Sequence, residues 1–126
     1  NINDIASKAP LASPIFTGSL RVDGAATNAQ TKIYTASETT IDFSLGNLVS
    51  TNASAGAFVL SNMKDGGTYT LAVTGNIVGT ATFTHTSPAT LTFYSLHNET
   101  TTADKRALYT FIVMDTAVYF SMVSVE

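Results

Sequence analysis

Ala107-Leu108-Tyr109-Thr110-Phe111-Ile112-Val113-Met114, then Asp115-Thr116, then Ala117-Val118-Tyr119-Phe120-Ser121-Met122-Val123-Ser124: two runs rich in aromatic and β-branched residues flank a two-residue break. Such residues fit a pleated, half-buried surface, and a two-residue gap has hairpin spacing. Successive strand side chains point to opposite faces. Tyr109, Phe111 and Val113 therefore share one face, and Leu108, Ile112 and Met114 share the other. In the second run Val118, Phe120 and Met122 oppose Tyr119, Val123 and Val125. Both faces of this hairpin are apolar. A strand of a two-layer protein has one core face and one solvent face, so the second apolar face needs a cover.

Upstream, further short strands are expected near 31–35, 39–45, 55–61, 68–74, 79–85 and 90–95. Asp65-Gly66-Gly67 and Gly75-Asn76 punctuate them as turns. These strands have one apolar face and one threonine face. Tyr69, Leu71 and Val73 oppose Thr68, Thr70, Ala72 and Thr74; Ala81, Phe83 and His85 oppose Thr80, Thr82, Thr84 and Thr86; Leu91 and Phe93 oppose Thr90 and Thr92. The apolar face is core, where each buried Phe, Leu or Val contributes about 1.5–3 kcal/mol. About eight short strands with no helix between them predict an all-β chain. Its expected form is an antiparallel β-sandwich, jelly-roll-like, with an extended N-terminal arm. The stretch 97–106 is the most loop-like part of the body.

Residues 1–30 have a different texture from the body at 31–126. Ile2, Ile5 and Ala9 fit one short helical stretch with Asn3 or Asp4 as its cap, which Pro10 stops. Pro10, Pro14 and Gly18 then mark an extended arm, and residues 24–30 read as a linker. Such an arm cannot bury Ile15, Phe16, Leu20 and Val22 against itself. Its cover is either the following domain or another copy of the chain. An oligomer is the preferred reading, with Ile15, Phe16, Leu108, Ile112 and Met114 as its interface; a sandwich closed enough to hide both hairpin faces is the alternative. The chain opens on Asn1 rather than Met, which reads as a segment of a longer chain.

The 126 residues fit one domain. Charged residues are 12%, about half the usual share, while threonine fills roughly one position in six. Six Lys and Arg with no basic stripe leave nucleic-acid binding without an electrostatic basis. The absence of cysteine excludes disulfides, thiolate zinc sites and a thiol nucleophile. No apolar run approaches the roughly 18 residues of a membrane span, so no membrane insertion is expected.

Catalysis has little to stand on. His85 lies on the inward parity of its strand and reads as a core histidine. His97, with Glu99 and Asp104 beyond it, has no diagnostic metal-ligand spacing. Asp42, Asp65, Glu99, Asp104 and Asp115 are scattered, whereas a glycosidase holds two carboxyls about 5–10 Å apart. No catalytic, cofactor or metal residue is expected. Asn52-Ala53-Ser54 and Asn98-Glu99-Thr100 match the short glycan-acceptor pattern. The threonine face is ordinary solvent-facing strand chemistry or a sugar-binding or ice-binding surface. Without Trp, stacking on a sugar falls to Tyr34, Tyr69, Tyr94, Tyr109 and Tyr119. Tyr94 breaks alternation after Phe93 and is the one expected outside. The ligand-contact set expected from this reasoning is Tyr94, His97, Asn98, Thr82 and Thr84.

Lys8-Ala9-Pro10-Leu11-Ala12-Ser13-Pro14-Ile15-Phe16-Thr17-Gly18 resembles a short shaft repeat of tailed-bacteriophage fibre proteins, Lys-Ala-Pro-Leu-Ala-Ser-Pro-x-Phe-Thr-Gly, at every fixed position. The body resembles the C-terminal domain of such fibres, tail or head, from phages and prophages of gut Bacteroides-type bacteria. Leu60–Leu71, Gly79–Thr84, Leu108–Met114 and Val118–Val123 carry that likeness. One departure is Asp115, where the resemblance implies Gly. The resemblance implies a homotrimeric, non-enzymatic distal fibre domain in the extracellular virion, joined to other virion proteins through its N-terminal side. It implies adhesion to a host-surface polysaccharide or glycan, and no binding residue carries over from it. A purely structural trimerisation and capping domain is the alternative, and a depolymerase-like enzyme the third reading.

Overall fold

The computed structural model describes residues 14–28, 32–53, 56–74, 79–100 and 105–125. Nine strands follow in order: β1 (Lys32–Tyr34), β2 (Thr40–Asp42), β3 (Leu48–Thr51), β4 (Ala57–Ser61), β5 (Thr68–Val73), β6 (Thr82–His85), β7 (Thr92–His97), β8 (Ala107–Met114) and β9 (Ala117–Ser124). They form two sheets. The larger has the order β1-β3-β5-β8-β9-β7 and the smaller β2-β4-β6. Odd and even strands alternate between the sheets from β1 to β6, and neighbours pair in parallel: β1 with β3, β3 with β5, β2 with β4, β4 with β6. The chain is a β-solenoid of about three turns.

This corrects the expected antiparallel, jelly-roll-like sandwich. Side-chain alternation is the same in parallel and antiparallel strands, so strand parity does not report direction. Parallel neighbours ordinarily need a crossover of a dozen or more residues, usually a helix. Here the crossover is a strand of the opposite sheet. Asp65-Gly66-Gly67 does form a turn, but it carries the chain from β4 in one sheet to β5 in the other rather than closing a hairpin.

Only the last two strands make the antiparallel pair expected of them, and with the expected bounds. β8 pairs β9 from Ala107↔Ser124 to Met114↔Ala117. The hairpin is inserted between β5, antiparallel to β8, and β7, parallel to β9. Its turn survives the Asp at 115. Asp115 adopts φ +58°, a left-handed conformation that Asp tolerates better than most residues. Its N–H donates to Asp65 Oδ1 at 2.7 Å, tying this turn to the β4–β5 turn.

Two local readings also change. Residues 43–45 form a 3-10 turn rather than the end of a strand. Asp42 caps it by accepting the Ser44 N–H at 2.9 Å, an arrangement that ends β2. β3 was not expected, because Leu48-Val49-Ser50-Thr51 offers a single core apolar residue, Val49, with buried Thr51 as its partner. The helical stretch of residues 1–9, the Gly75-Asn76 turn and Asp104 lie outside the described residues.

The core lies between the sheets. Phe83 on β6 meets Tyr109, Phe111 and Phe120 edge-on, with ring centroids 5.0, 4.9 and 5.3 Å away, and stacks on Phe58 at 5.9 Å. Phe43 in the 3-10 turn packs on Tyr69 at 4.9 Å. His85 is buried with both ring nitrogens engaged. Its Nε2 accepts the Met63 N–H at 3.0 Å and its Nδ1 faces Ala89 O at 2.7 Å, which assigns the proton to Nδ1.

Tyr109 is fully buried, and its hydroxyl has no hydrogen-bond partner among the described residues. Burial alone pushes its pKa up. An unsatisfied buried hydroxyl costs about 1–3 kcal/mol, so Tyr109→Phe is expected to raise the urea midpoint. Phe111→Asp, which puts a carboxylate into the same ring cluster, is expected to abolish the cooperative transition.

Candidate functional site

The outward side of the larger sheet is built from cross-strand rows. The first row reads Ile33, Ser50, Ala72, Leu108, Val123. The next reads Leu48, Thr70, Thr110, Ser121, His97. Thr68, Ile112, Tyr119 and Tyr94 form the third, and Met114, Ala117 and Thr92 the fourth. None of these positions holds Lys, Arg, Asp or Glu. The second apolar face of the hairpin therefore exists as read from parity, and it stands open in the single chain: Leu108, Ile112, Met114, Tyr119 and Val123 are all exposed. Where the first row ends, Ala72, Arg106, Ala107, Leu108, Val123 and Val125 line an open depression of about 300 Å³.

At the β7 margin of this face Tyr94 stacks on Tyr119, with centroids 5.6 Å apart and planes 25° from parallel. Tyr94 is half exposed and Tyr119 37% exposed. Tyr34, Tyr69 and Tyr109 are buried, so these two are the rings open to a ligand. The hydroxyl row of Thr70, Thr110 and Ser121 runs beside them, ending in His97. His97 Nε2 lies 3.2 Å from Glu99 Oε1, both well exposed. Asn98 donates from Nδ2 to Ala81 O at 3.0 Å, anchoring the chain after β7 to the start of β6; its buried Oδ1 has no partner among the described residues.

Thr82 and Thr84 project elsewhere. They lie on the outward side of the smaller sheet, since Phe83 between them faces the core. The structure thus brings Tyr94, His97 and Asn98 together on and after β7, and sets Thr82 and Thr84 on the outward side of the other sheet. Thr84 joins a second open depression of about 370 Å³, where β6 and β7 leave their sheet edges unpaired. Its floor is Phe83, Leu91 and Phe93, and Thr84, Thr86, Thr90 and Thr92 supply hydroxyls around it. Ile15 and Phe16 sit on the arm, well exposed, while Leu108, Ile112 and Met114 share the outward side of β8. Tyr119, absent from the expected ligand set, was legible from its parity opposite Val118.

Asp42 and Asp65 are occupied in holding turns. Asp42 accepts from Asn62 Nδ2 at 2.7 Å and from the Ser44 N–H and hydroxyl. Asp65 holds the Asp115 N–H. Among the described residues no group of three His, Asp or Glu is placed to hold a metal ion, and no helix is long and apolar enough to cross a membrane. Comparison with family models, with curated proteins and with solved structures found no match.

Asn62 first, and Ser44 next, hold the Asp42 carboxyl below its usual pKa. A depressed folded-state pKa stabilises the fold above the ordinary carboxylate range and loses that contribution as pH falls through the lowered value. Thermal stability of the natural chain is therefore expected to fall more steeply below about pH 4 than that of Asp42→Asn, which a pH series of melting curves measures.

Proposed function

We propose that this chain is the distal domain of a homotrimeric tailed-phage fibre, extracellular on the virion and non-enzymatic, adhering to host-surface glycan. The observation that carries adhesion is the exposed Tyr94–Tyr119 pair beside an uncharged row of hydroxyls. A sugar ring presents C–H groups to an aromatic face and hydroxyls to Thr and Ser. Thr110, Ser121 and His97 lie one row away from the rings. The shaft-like Lys8–Gly18 stretch supports the fibre context, and the open apolar side of β8 and β9 supports self-association.

Each site is a shallow surface feature, so a single-site Kd near ~1 mM is expected, or about −4 kcal/mol. Sites held on one rigid assembly then act by effective concentration. The rings lie at the β7 margin, the last strand of the sheet. An assembly seated over Leu108, Ile112 and Met114 leaves that margin at its rim. The purely structural reading, trimerisation and capping without a receptor, is favoured by the charge-free face, because charge depletion marks the buried centre of interfaces.

Two measurements check this. Light scattering is expected to give the mass of a trimer for the natural chain and of a monomer for Ile112→Asp, whose side chain is exposed in the single chain. A monomer of the natural chain at micromolar concentration would overturn the assembly. On a glycan array or host-envelope fractions, binding is expected from the natural chain and a loss of about tenfold or more from Tyr94→Ala. No binding to any host fraction would leave only the structural reading.

A further inference from the structure

Residues 14–28 form no strand, yet the arm carries Ile15, Phe16, Leu20 and Val22 at 88%, 55%, 66% and 52% exposure. The outward side of the larger sheet is the complementary surplus, with exposed Leu108, Ile112, Met114 and Val123 in rows that hold no charge. Among the described residues the two do not cover each other. We infer that the arm segment 15–22 of one copy lies along the outward face of β8 of a second copy, with Phe16 in the depression formed by Ala72, Arg106, Leu108, Val123 and Val125, which leaves Tyr119 and Tyr94 open on the β7 side. The inference rests on the proposed self-association and specifies what covers the face.

Two features favour this occupant. The first is length. Eight extended residues span about 26 Å, the same as an eight-residue strand, and β8 has eight. The second is charge. Arg21 and Asp23 pair with each other at 2.6 Å, so the arm brings no unpaired charge to a face whose cross-strand rows hold none, with Arg106 at the rim of the depression. Leu20 and Val22 alternate with Ser19, Arg21 and Asp23, giving this end of the arm one apolar side. The arm is fixed at its base, where Asn28 Nδ2 donates to Asn47 Oδ1 at 3.0 Å and Asn28 Oδ1 accepts the Asn47 N–H. From there residues 23–27 reach at most about 17–18 Å.

The chain has no cysteine, so introduced pairs report without background. Phe16→Cys, carrying an affinity tag, is co-expressed with untagged Val123→Cys and oxidised. Both positions are exposed in the single chain, which leaves folding intact. The expected result is a tagged–untagged disulfide forming about tenfold or more faster than with Thr82→Cys, on the opposite side of the molecule, as partner. A Phe16→Cys/Val123→Cys double variant that closes only within its own chain would overturn the inference, because the arm would then cover its own sheet. Absence of any link, with light scattering still reporting an oligomer, overturns the arm contact and leaves self-association standing. A monomer overturns both.

Discussion

The Phe83 ring holds the two sheets together. It projects from the last strand of the smaller sheet into a cage made by Tyr109, Phe111 and Phe120 of the larger one, with Phe58 and Phe93 at its sides. Edge-to-face contacts of this kind add about 0.5–1.5 kcal/mol each beyond the area they bury. The cage exists only because β8 and β9 lie between β5 and β7 in the larger sheet. A plain solenoid would set β7 beside β5 and leave Phe83 facing shorter strands. The sheets differ in width, six strands against three, and the hairpin supplies half of the wider sheet's inward rings, Tyr109, Phe111 and Phe120.

Faces were legible in the sequence, and directions were not. Parity assigned Tyr69, Leu71, Val73, Phe83, His85 and Leu91 inward, and all six are buried. The hairpin was readable to its end residues because both strands are long and a two-residue turn fixes their register. Parallel pairing was invisible, since Ile41 lies beside Leu60, and Val49 beside Leu71, through hydrogen bonds that leave no local trace. The surface site was readable only in part. Tyr94 and His97 share a strand, so sequence proximity placed them together. Thr82 and Thr84 share the hydroxyl chemistry but lie in the other sheet, which only the topology reveals.

The outward face of the larger sheet joins the two functional readings. Its central rows, with Leu108, Ile112 and Val123, are suited to burial by protein, and its β7 margin, with Tyr94, Tyr119 and His97, is suited to a hydroxyl-rich ligand. Placing adhesion beside an interface couples the two. The rigid sheet that sets subunit spacing also fixes the distance between neighbouring ligand sites, and that spacing decides which repeating polymers can be held at several points at once.

The inserted hairpin also dictates an order of assembly. During synthesis β1 to β6 can coil as they emerge, each strand from β3 onward finding a neighbour already made. β7 cannot, because its pairing partner in the sheet is β9, which is made later. The third turn must therefore wait, with Phe93, Tyr94 and the rest of β7 unpaired, until residues 117–124 have left the ribosome. A chain shortened by those residues would lose two strands from the sheet rather than one, and β8 would become its exposed edge.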